Sequence, residues 1–263
     1  MKKERRIINS VLIIFGIILF LSGLWWYRQA RFLQRLDVQK NEVPTLFIPG
    51  YRGNRLSFGG MIFRLDHYGL GTKAMVVRVS TKGKVKFEQR RSLKTKNPLI
   101  QVLFANNRDE RLEAVQLGKV LTMLKQKYQV KQVNLVGHSS GGNIAFNYLT
   151  NTSAKKSQAP QVMKFVNIAT TFPGKEKDGK KLDPQLSILN IAGNIWNFRT
   201  DGGIPLDRDM ALKKIVKPYI KSYQAKIISG SPLTTYHSML HENGEVDRAV
   251  AVFLFKNGDQ VPR

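Results

Sequence analysis

The sequence predicts an α/β fold: a mainly parallel central sheet with helices on both faces, preceded by one N-terminal transmembrane helix. Three observations lead there. Val133 to Gly142 reads Val-Asn-Leu-Val-Gly-His-Ser-Ser-Gly-Gly, an apolar run that breaks into Gly-x-Ser-x-Gly and then into helical spacing at Asn143-Ile-Ala-Phe-Asn-Tyr-Leu. That is the strand, sharp turn and helix of a nucleophile elbow. Beyond residue 43, apolar runs of strand length alternate with amphipathic stretches, as βα units require. Finally, in Ile7 to Tyr27 only Asn9 and Ser10 are clearly polar, and at about 1.5 Å per residue this run is long enough to cross a hydrocarbon core of about 30 Å.

The chain has 263 residues, room for one sizeable domain after an N-terminal extension. With 42% apolar and 23% charged residues, it has the composition of a globular protein rather than a disordered one. It contains no cysteine, which excludes disulfides, thiolate catalysis and zinc-cysteine sites. A formal charge of +25 attracts polyanions in general. Between residues 82 and 96, Lys82, Lys84, Lys86, Arg90, Arg91, Lys94 and Lys96 face one acid, Glu88, and form a basic face. No helix-turn-helix, finger or stacking platform accompanies it, so no nucleic-acid partner is expected. Anionic lipid or cell-wall polymer is the expected contact.

The elements follow in order. Residues 1–27 form a basic n-region and membrane anchor, with Trp25, Trp26 and Tyr27 placed for an aromatic belt at the outer interface. The run is longer than a signal-peptide core and no small-x-small cleavage site follows, which favours an uncleaved anchor. Basic residues flank both ends, and the expected topology is single-pass, N-terminus inside and domain outside the cytoplasm. Residues 28–42 are expected as a tether and 43–263 as the domain. Val43 to Pro49 reads as a buried strand running into the turn Gly50-Tyr-Arg-Gly-Asn, and Met61 to Tyr68 as a helix. Ala74 to Ser80 and Lys84 to Glu88 read as a hairpin around Gly83, and Leu99 to Ala105 as a further strand. From Asp109 to Tyr128, apolar residues at spacings of three and four give an amphipathic helix, with Asp109 and Glu110 in its first turn. After the elbow, Asn151 to Pro160 is a polar loop and Val162 to Ala169 a strand. Gly174 to Pro184, rich in lysine, is either a solvated loop or part of a lid at the strand ends. Leu186 to Ala192 and Lys226 to Ser229 are strand candidates, and Val246 to Phe255 is a closing helix.

A serine hydroxyl at neutral pH needs a base to take its proton and a third group to hold that base. Ser139 is the candidate nucleophile. Of the four histidines, His67 has no suitable context and His138 points away from the hydroxyl of its neighbour. His237, after the last strand candidate, has the position of the base in a Ser, Asp, His order, with His241 a rival one turn on. Asp201, in Thr200-Asp-Gly-Gly, follows the preceding strand and fits the acid; Asp207 and Asp209 compete but look placed to cap a helix. The backbone N–H groups of Tyr51 and Ser140 are the candidate oxyanion donors. Trp196 and Phe198, beside the acid loop, either line an acyl pocket or serve packing.

These residues resemble the α/β-hydrolase superfamily, and more closely a group of Gram-positive cell-surface or secreted hydrolases catalogued as a domain of unknown function. The resemblance spans Val43 to Phe255. It rests on Phe47-Ile-Pro-Gly-Tyr, Asn97-Pro-Leu-Ile-Gln-Val-Leu-Phe, Asn134-Leu-Val-Gly-His-Ser-Ser-Gly-Gly, Thr200-Asp-Gly and His237-Ser-Met-Leu-His-Glu-Asn. It implies Ser139, Asp201 and His237 as a catalytic triad. Relatives commonly carry Met at the position of Ser140, a departure that keeps the backbone donor and alters the pocket floor. The expected activity is that of a membrane-anchored serine esterase or lipase-like hydrolase acting on a small-molecule or lipid acyl ester, with no cofactor and no metal. The competing expectation is a non-catalytic module that presents a basic face to anionic lipid or wall polymer.

Overall fold

The computed structural model describes residues 2–151 and 158–256, with side chains from residue 5 onward. Its centre is an eight-stranded sheet of β1 (Thr45–Ile48), β2 (Thr72–Val79), β3 (Val85–Gln89), β4 (Pro98–Phe104), β5 (Gln132–His138), β6 (Gln161–Ile168), β7 (Ser187–Ile195) and β8 (Ser222–Gly230). The order across the sheet is β3-β2-β4-β1-β5-β6-β7-β8. The pairing of β2 with β3 is antiparallel, the hairpin expected around Gly83, and the other pairs are parallel. Every residue of β1, β4 and β7 is buried, so these strands show no alternation of apolar and polar faces and carry only a few polar residues, Gln101, Ser187, Asn190 and Asn194 among them. The last strand was legible only over Lys226 to Ser229 because it lies at the sheet's edge, where Ser222, Tyr223 and Gln224 are tolerated in a strand only partly buried.

The helices are α1 (Lys2–Ala30), α2 (Gly59–His67), α3 (Glu110–Tyr128), α4 (Ser140–Thr150), α5 (Leu206–Met210), α6 (Leu212–Val216), α7 (Pro232–Thr235) and α8 (Gly244–Phe255). Successive strand residues point to opposite faces, so Leu46 and Ile48 join Leu117, Leu121, Ile144, Phe146 and Leu212 in one core layer. Phe47 joins Leu65, Val136, Val166, Val250 and Phe253 in the other. Full burial of each such side chain contributes about 1.5–3 kcal/mol. At the start of α3 the Asp109 carboxylate accepts from the N–H groups of Arg111 and Leu112, both at 3.0 Å, while Glu113 accepts from the Asp109 N–H at 3.0 Å. Asp109 is thus the N-cap rather than a member of the first turn.

Between Arg5 and Ala30, α1 is long and apolar enough to span a membrane. Its last turn docks on the domain: the Trp26 ring lies 6.0 Å from Phe63 and 6.1 Å from His67, and Gln29 Oε1 accepts from the Gly244 N–H at 2.8 Å. Residues 28–42, expected as a tether, lie against the α2–α8 layer with Ala30, Leu33 and Val38 buried. Apolar side chains spaced through this stretch give it a surface to bury. Asn97 fastens its end, donating to the Gln39 carbonyl at 3.0 Å and accepting from the Asn41 N–H at 3.0 Å.

The lysine-rich stretch 174–184 is largely solvated, with Glu176, Lys177, Lys180 and Lys181 exposed, and is pinned to the domain at two points. Its Gly179 abuts the Ile215 carbonyl, and Leu182 is buried in the layer that holds Leu212 and Val216. Most of the polar loop expected over 151–160, and residues 257–263 of the domain, lie outside the described residues.

Candidate active site

The chain leaves β1 toward one side of the sheet and returns through α3 to β5 on the other, so the crevice between these two strand ends is a topological switch point. Ser139 lies there, between β5 and α4, with φ 55° and ψ −131°. A non-glycine residue in this region is strained, and its surroundings hold it. The Ser139 N–H donates to the Ile168 carbonyl at 2.9 Å, and its carbonyl accepts from Thr170 Oγ1 at 2.8 Å and from the Gly142 N–H at 2.8 Å. The glycines of the motif permit the close approach. A Cβ on Gly137 would lie 2.5 Å from the Gly141 carbonyl oxygen, and one on Gly141 would overlap the Ile48 carbonyl.

The structure brings three of the sequence candidates together. His237 Nε2 lies 2.9 Å from Ser139 Oγ, and His237 Nδ1 lies 2.8 Å from Asp201 Oδ2. Asp201 is 1% exposed, and its second oxygen accepts from the N–H groups of Gly203 at 2.8 Å and Ile204 at 2.5 Å. An ionised carboxylate only accepts, which assigns the imidazole proton to Nδ1 and leaves Nε2 free to accept from the serine hydroxyl. The loop is shaped for this contact: the His237 N–H donates to the Asp201 carbonyl at 2.8 Å, and a Cβ on Gly203 would come within 3.0 Å of the imidazole.

The early turn also reaches the site. A Cβ on Gly50 would lie 2.9 Å from Ser139 Cβ and 3.5 Å from Ser139 Oγ, which puts the following peptide, with the Tyr51 N–H, beside the hydroxyl. A bond of 2.8 Å from the Gly53 N–H to the Gly50 carbonyl closes this turn. Ser140 is the first residue of α4, so its N–H has no acceptor within the helix.

The other candidates lie elsewhere. His67 packs against Phe63 and Tyr68 on α2, and His241 contacts Glu242 at 3.4 Å and the ring of Phe58. Asp207 is exposed. Neither Asp207 nor Asp209 caps α5, whose N-cap is Pro205. Asp209 is instead buried, accepting from Asn190 Nδ2 at 2.7 Å and from the Thr170 N–H at 3.2 Å. Burial, reinforced by the nearby Asp201 carboxylate, pushes its pKa up to about 8. Trp196 and Phe198 are 60% and 70% exposed, so they neither pack the core nor line a closed pocket.

Sequence reasoning missed the groups behind the triad. The His138 side chain reaches the base: its Nε2–H donates to the His237 carbonyl at 2.9 Å. Burial holds its pKa well below the ordinary histidine value, so the ring is neutral and donates from Nε2. Asn167 on β6 and Asn190 on β7 are register partners joined by a bond of 2.6 Å, and Asn190 in turn holds Asp209. The available signal was a pair of asparagines inside otherwise apolar buried strands, since a buried amide is retained where it is hydrogen-bonded.

A product of the lin2722 gene of Listeria innocua has a similar structure, with TM-score 0.73, 24% identity, and coverage of 81% of this chain and 94% of that one. So does a candidate cell surface hydrolase from Lactobacillus plantarum, with TM-score 0.69, 21% identity, and coverage of 83% and 92%. A thermostable carboxyl esterase from Bacillus coagulans is more distant, with TM-score 0.51, 11% identity, and coverage of 83% and 91%. At these identities the likeness concerns the fold. No curated protein sequence matches the chain. The family of alpha/beta hydrolases of unknown function, DUF915, matches residues 34–181 and 174–257, and the chain belongs to this family, as its motifs imply.

Proposed function

We propose that this protein is a membrane-anchored serine hydrolase that cleaves carboxylic esters through an acyl-enzyme. The observation that carries the reading is the continuous path from Ser139 Oγ through His237 to Asp201, with bonds of 2.9 and 2.8 Å. Ser139 Oγ attacks the ester carbonyl as His237 Nε2 takes its proton, and the N–H groups of Tyr51 and Ser140 face the oxyanion that forms. His237 returns the proton to the leaving alcohol. A water, deprotonated in the same way, then releases the acid and restores Ser139. Asp201 holds the tautomer throughout and stabilises the imidazolium.

An apolar acyl group suits the surroundings. Tyr51, Leu56, Trp196, Phe198, Leu233 and Tyr236 all stand exposed on the segments that follow β1, β7 and β8 at this edge of the sheet, Leu233 within the short helix α7. Large apolar side chains gathered on one rim favour contact with an apolar partner. In this reading α1 anchors the domain in the cell membrane with the hydrolase outside the cytoplasm. Externally added protease should therefore remove the domain from intact cells, and protection of the domain would reverse the topology.

The activity test is labelling of the full-length protein by a fluorophosphonate, with Ser139→Ala as control, followed by a panel of ester chain lengths. Labelling that requires Ser139 and a preference for medium or long acyl chains are expected. Folded protein that does not label would count against catalysis and favour a surface-binding module.

A further inference from the structure

The docking of α1 decides which surface of the domain meets the membrane that this helix is long enough to span. Every residue from Ile7 to Leu24 is exposed, so this stretch stands clear of the domain. At about 1.5 Å per residue it is about 27 Å long, close to the thickness of a hydrocarbon core. The hydrocarbon boundary therefore falls beside Leu24. Burial starts at once beyond it: Trp25 and Trp26 are half-buried, and Gln29 and Ala30 are buried.

No slack remains between the helix and the domain. Gln29 Oε1 accepts from the Gly244 N–H at 2.8 Å, and a Cβ on Gly244 would overlap the Gln29 carbonyl. The Trp26 ring packs on both Phe63 and His67 of α2, at 6.0 Å and 6.1 Å, and those two rings stack on each other at 5.8 Å. Trp26 lies about 3 Å beyond Leu24 along the helix axis, whereas the headgroup layer of one leaflet is about 5–7 Å deep. The contact with Trp26 therefore brings the outer face of α2 to the headgroups.

The chemistry of this surface suits that place. Phe63 is 54% exposed, although Met61, Ile62 and Leu65 of the same helix are fully buried in the core. Arg28 and Arg31 stand exposed directly after the aromatic cluster, with no carboxylate within ion-pair distance among the described residues. The acid of α2 beside them in sequence to Phe63 and His67, Asp66, is already paired with Arg91 at 2.7 Å. Aromatic rings at the hydrocarbon boundary and guanidinium groups level with phosphates are what a bilayer surface accommodates.

We propose that the outer face of α2 and the last turn of α1 form a lipid-headgroup surface, with Phe63 at the hydrocarbon boundary and Arg28 and Arg31 on the phosphates of anionic phospholipid. The domain then lies on the bilayer that α1 spans instead of swinging on a tether. The inference rests on the membrane-anchor reading of α1. It also sets the height of the active site, because α2 follows the loop whose turn at Gly50 reaches Ser139, and the crevice is held at a fixed distance from the lipid.

The chain has no cysteine, so a single fluorescent label can be placed at any chosen residue. Full-length protein is reconstituted in vesicles of phosphatidylglycerol and phosphatidylcholine, with a nitrobenzoxadiazole label at Phe63→Cys, at His67→Cys or, on the opposite face of the sheet, at Gln126→Cys of α3. Two positions on α2 guard against a label that disturbs the contact with Trp26. Phospholipid carrying a nitroxide near the top of its acyl chain should remove most of the emission at Phe63→Cys and His67→Cys, and little of that at Gln126→Cys. Nitroxide-labelled phosphatidylglycerol should quench more than nitroxide-labelled phosphatidylcholine, and Arg28→Gln with Arg31→Gln, or added salt, should remove the difference. Flotation with the vesicles separates the two ways of failing. Floating protein whose α2 labels are quenched no more than the label on α3 overturns the proposal, as does quenching indifferent to the charge of the lipid. Protein that does not float overturns the anchor reading, and the proposal with it.

Discussion

His138 Nε2–H donates to the backbone carbonyl of His237 at 2.9 Å, so the residue before the nucleophile holds the main chain of the base. The two imidazoles stand 4.8 Å apart. This bond links β5 to the loop after β8, two segments separated by about a hundred residues, and fixes the height of His237 over Ser139. His138→Ala should lower kcat by about ten- to a hundredfold, with KM little changed, because small displacements of a reacting group are costly. His138→Gln, whose amide can donate to the same carbonyl, should recover part of the loss. Equal loss in both variants, or a change confined to KM, would count against a positioning role.

Arg64 anchors the same loop from below. It is 1% exposed, contacts Asp247 at 2.5 Å and 3.3 Å, and contacts Glu242 at 3.0 Å, tying α2 to α8 and to the turn that follows His237. Burial opposes its charge, and the carboxylates of Asp247 and Glu242 together more than offset this and hold the guanidinium charged. Arg64→Ala leaves the fully buried Asp247 without a partner, and breaking a pair of this kind costs about 3–5 kcal/mol. Arg64→Met combined with Asp247→Leu removes both charges and should recover most of that loss. Urea unfolding of the two variants checks the expectation, and equal destabilisation in both would refute it.

Much of this was legible in the residues. The run from Val133 to Leu149 fixed the central strand, elbow and helix because strand and helix periodicities meet at a Gly-x-Ser-x-Gly turn that little else accommodates. Asp201 and His237 were found by chain order, since each follows a strand whose apolar run was visible. What stayed hidden depends on contacts distant in sequence. Residues 28–42 read as a polar tether, and the burial of Leu33 and Val38 appears only once α8 provides a surface for them. Asp209 looked like a helix cap because it lies in the first turn of α5, whereas its partners Asn190 and Thr170 come from other parts of the chain. The cations between the loop after β1 and the ends of β2, β3 and β4 were half visible: Lys84 and Lys86 stood out in the basic run, but Arg55 joins them only through the fold.

Asp209 gives the protein a specific pH dependence of stability. Its folded-state pKa is pushed up to about 8 by burial, whereas an unfolded aspartate titrates near ~3.9. Below about pH 4 the carboxyl is protonated in both states and its contribution to stability is complete. Between there and about pH 8 the unfolded chain gives up the proton while the folded protein keeps it. The contribution therefore falls as pH rises, by up to about 1.4 kcal/mol per pH unit, and is lost above the folded-state value. Asp209→Asn cannot ionise. Any fixed cost of the amide is independent of pH, so the difference in stability between variant and parent should shift in the variant's favour from pH 5 to pH 9. A difference constant across that range would show that Asp209 is ionised in the folded protein.

Asp201 and its neighbours allow the base to be assigned by kinetics. One carboxylate oxygen accepts from His237 Nδ1 at 2.8 Å, and the other is held by two backbone N–H groups. In Asp201→Asn the second oxygen's place at these N–H groups favours the amide oxygen, which turns the NH2 toward His237. That group donates to Nδ1 and forces the proton onto Nε2, the nitrogen that must accept from Ser139. The expected loss in kcat is roughly ten-thousand-fold, with substrate binding nearly intact, because the wrong tautomer removes the base without removing the pocket. His241, which contacts Glu242 rather than Ser139, should by contrast lose less than about tenfold on substitution by Ala, since it meets the site only through ring packing on His138. A collapse of kcat in His241→Ala that matched Asp201→Asn, with His237→Ala still active, would make His241 the base.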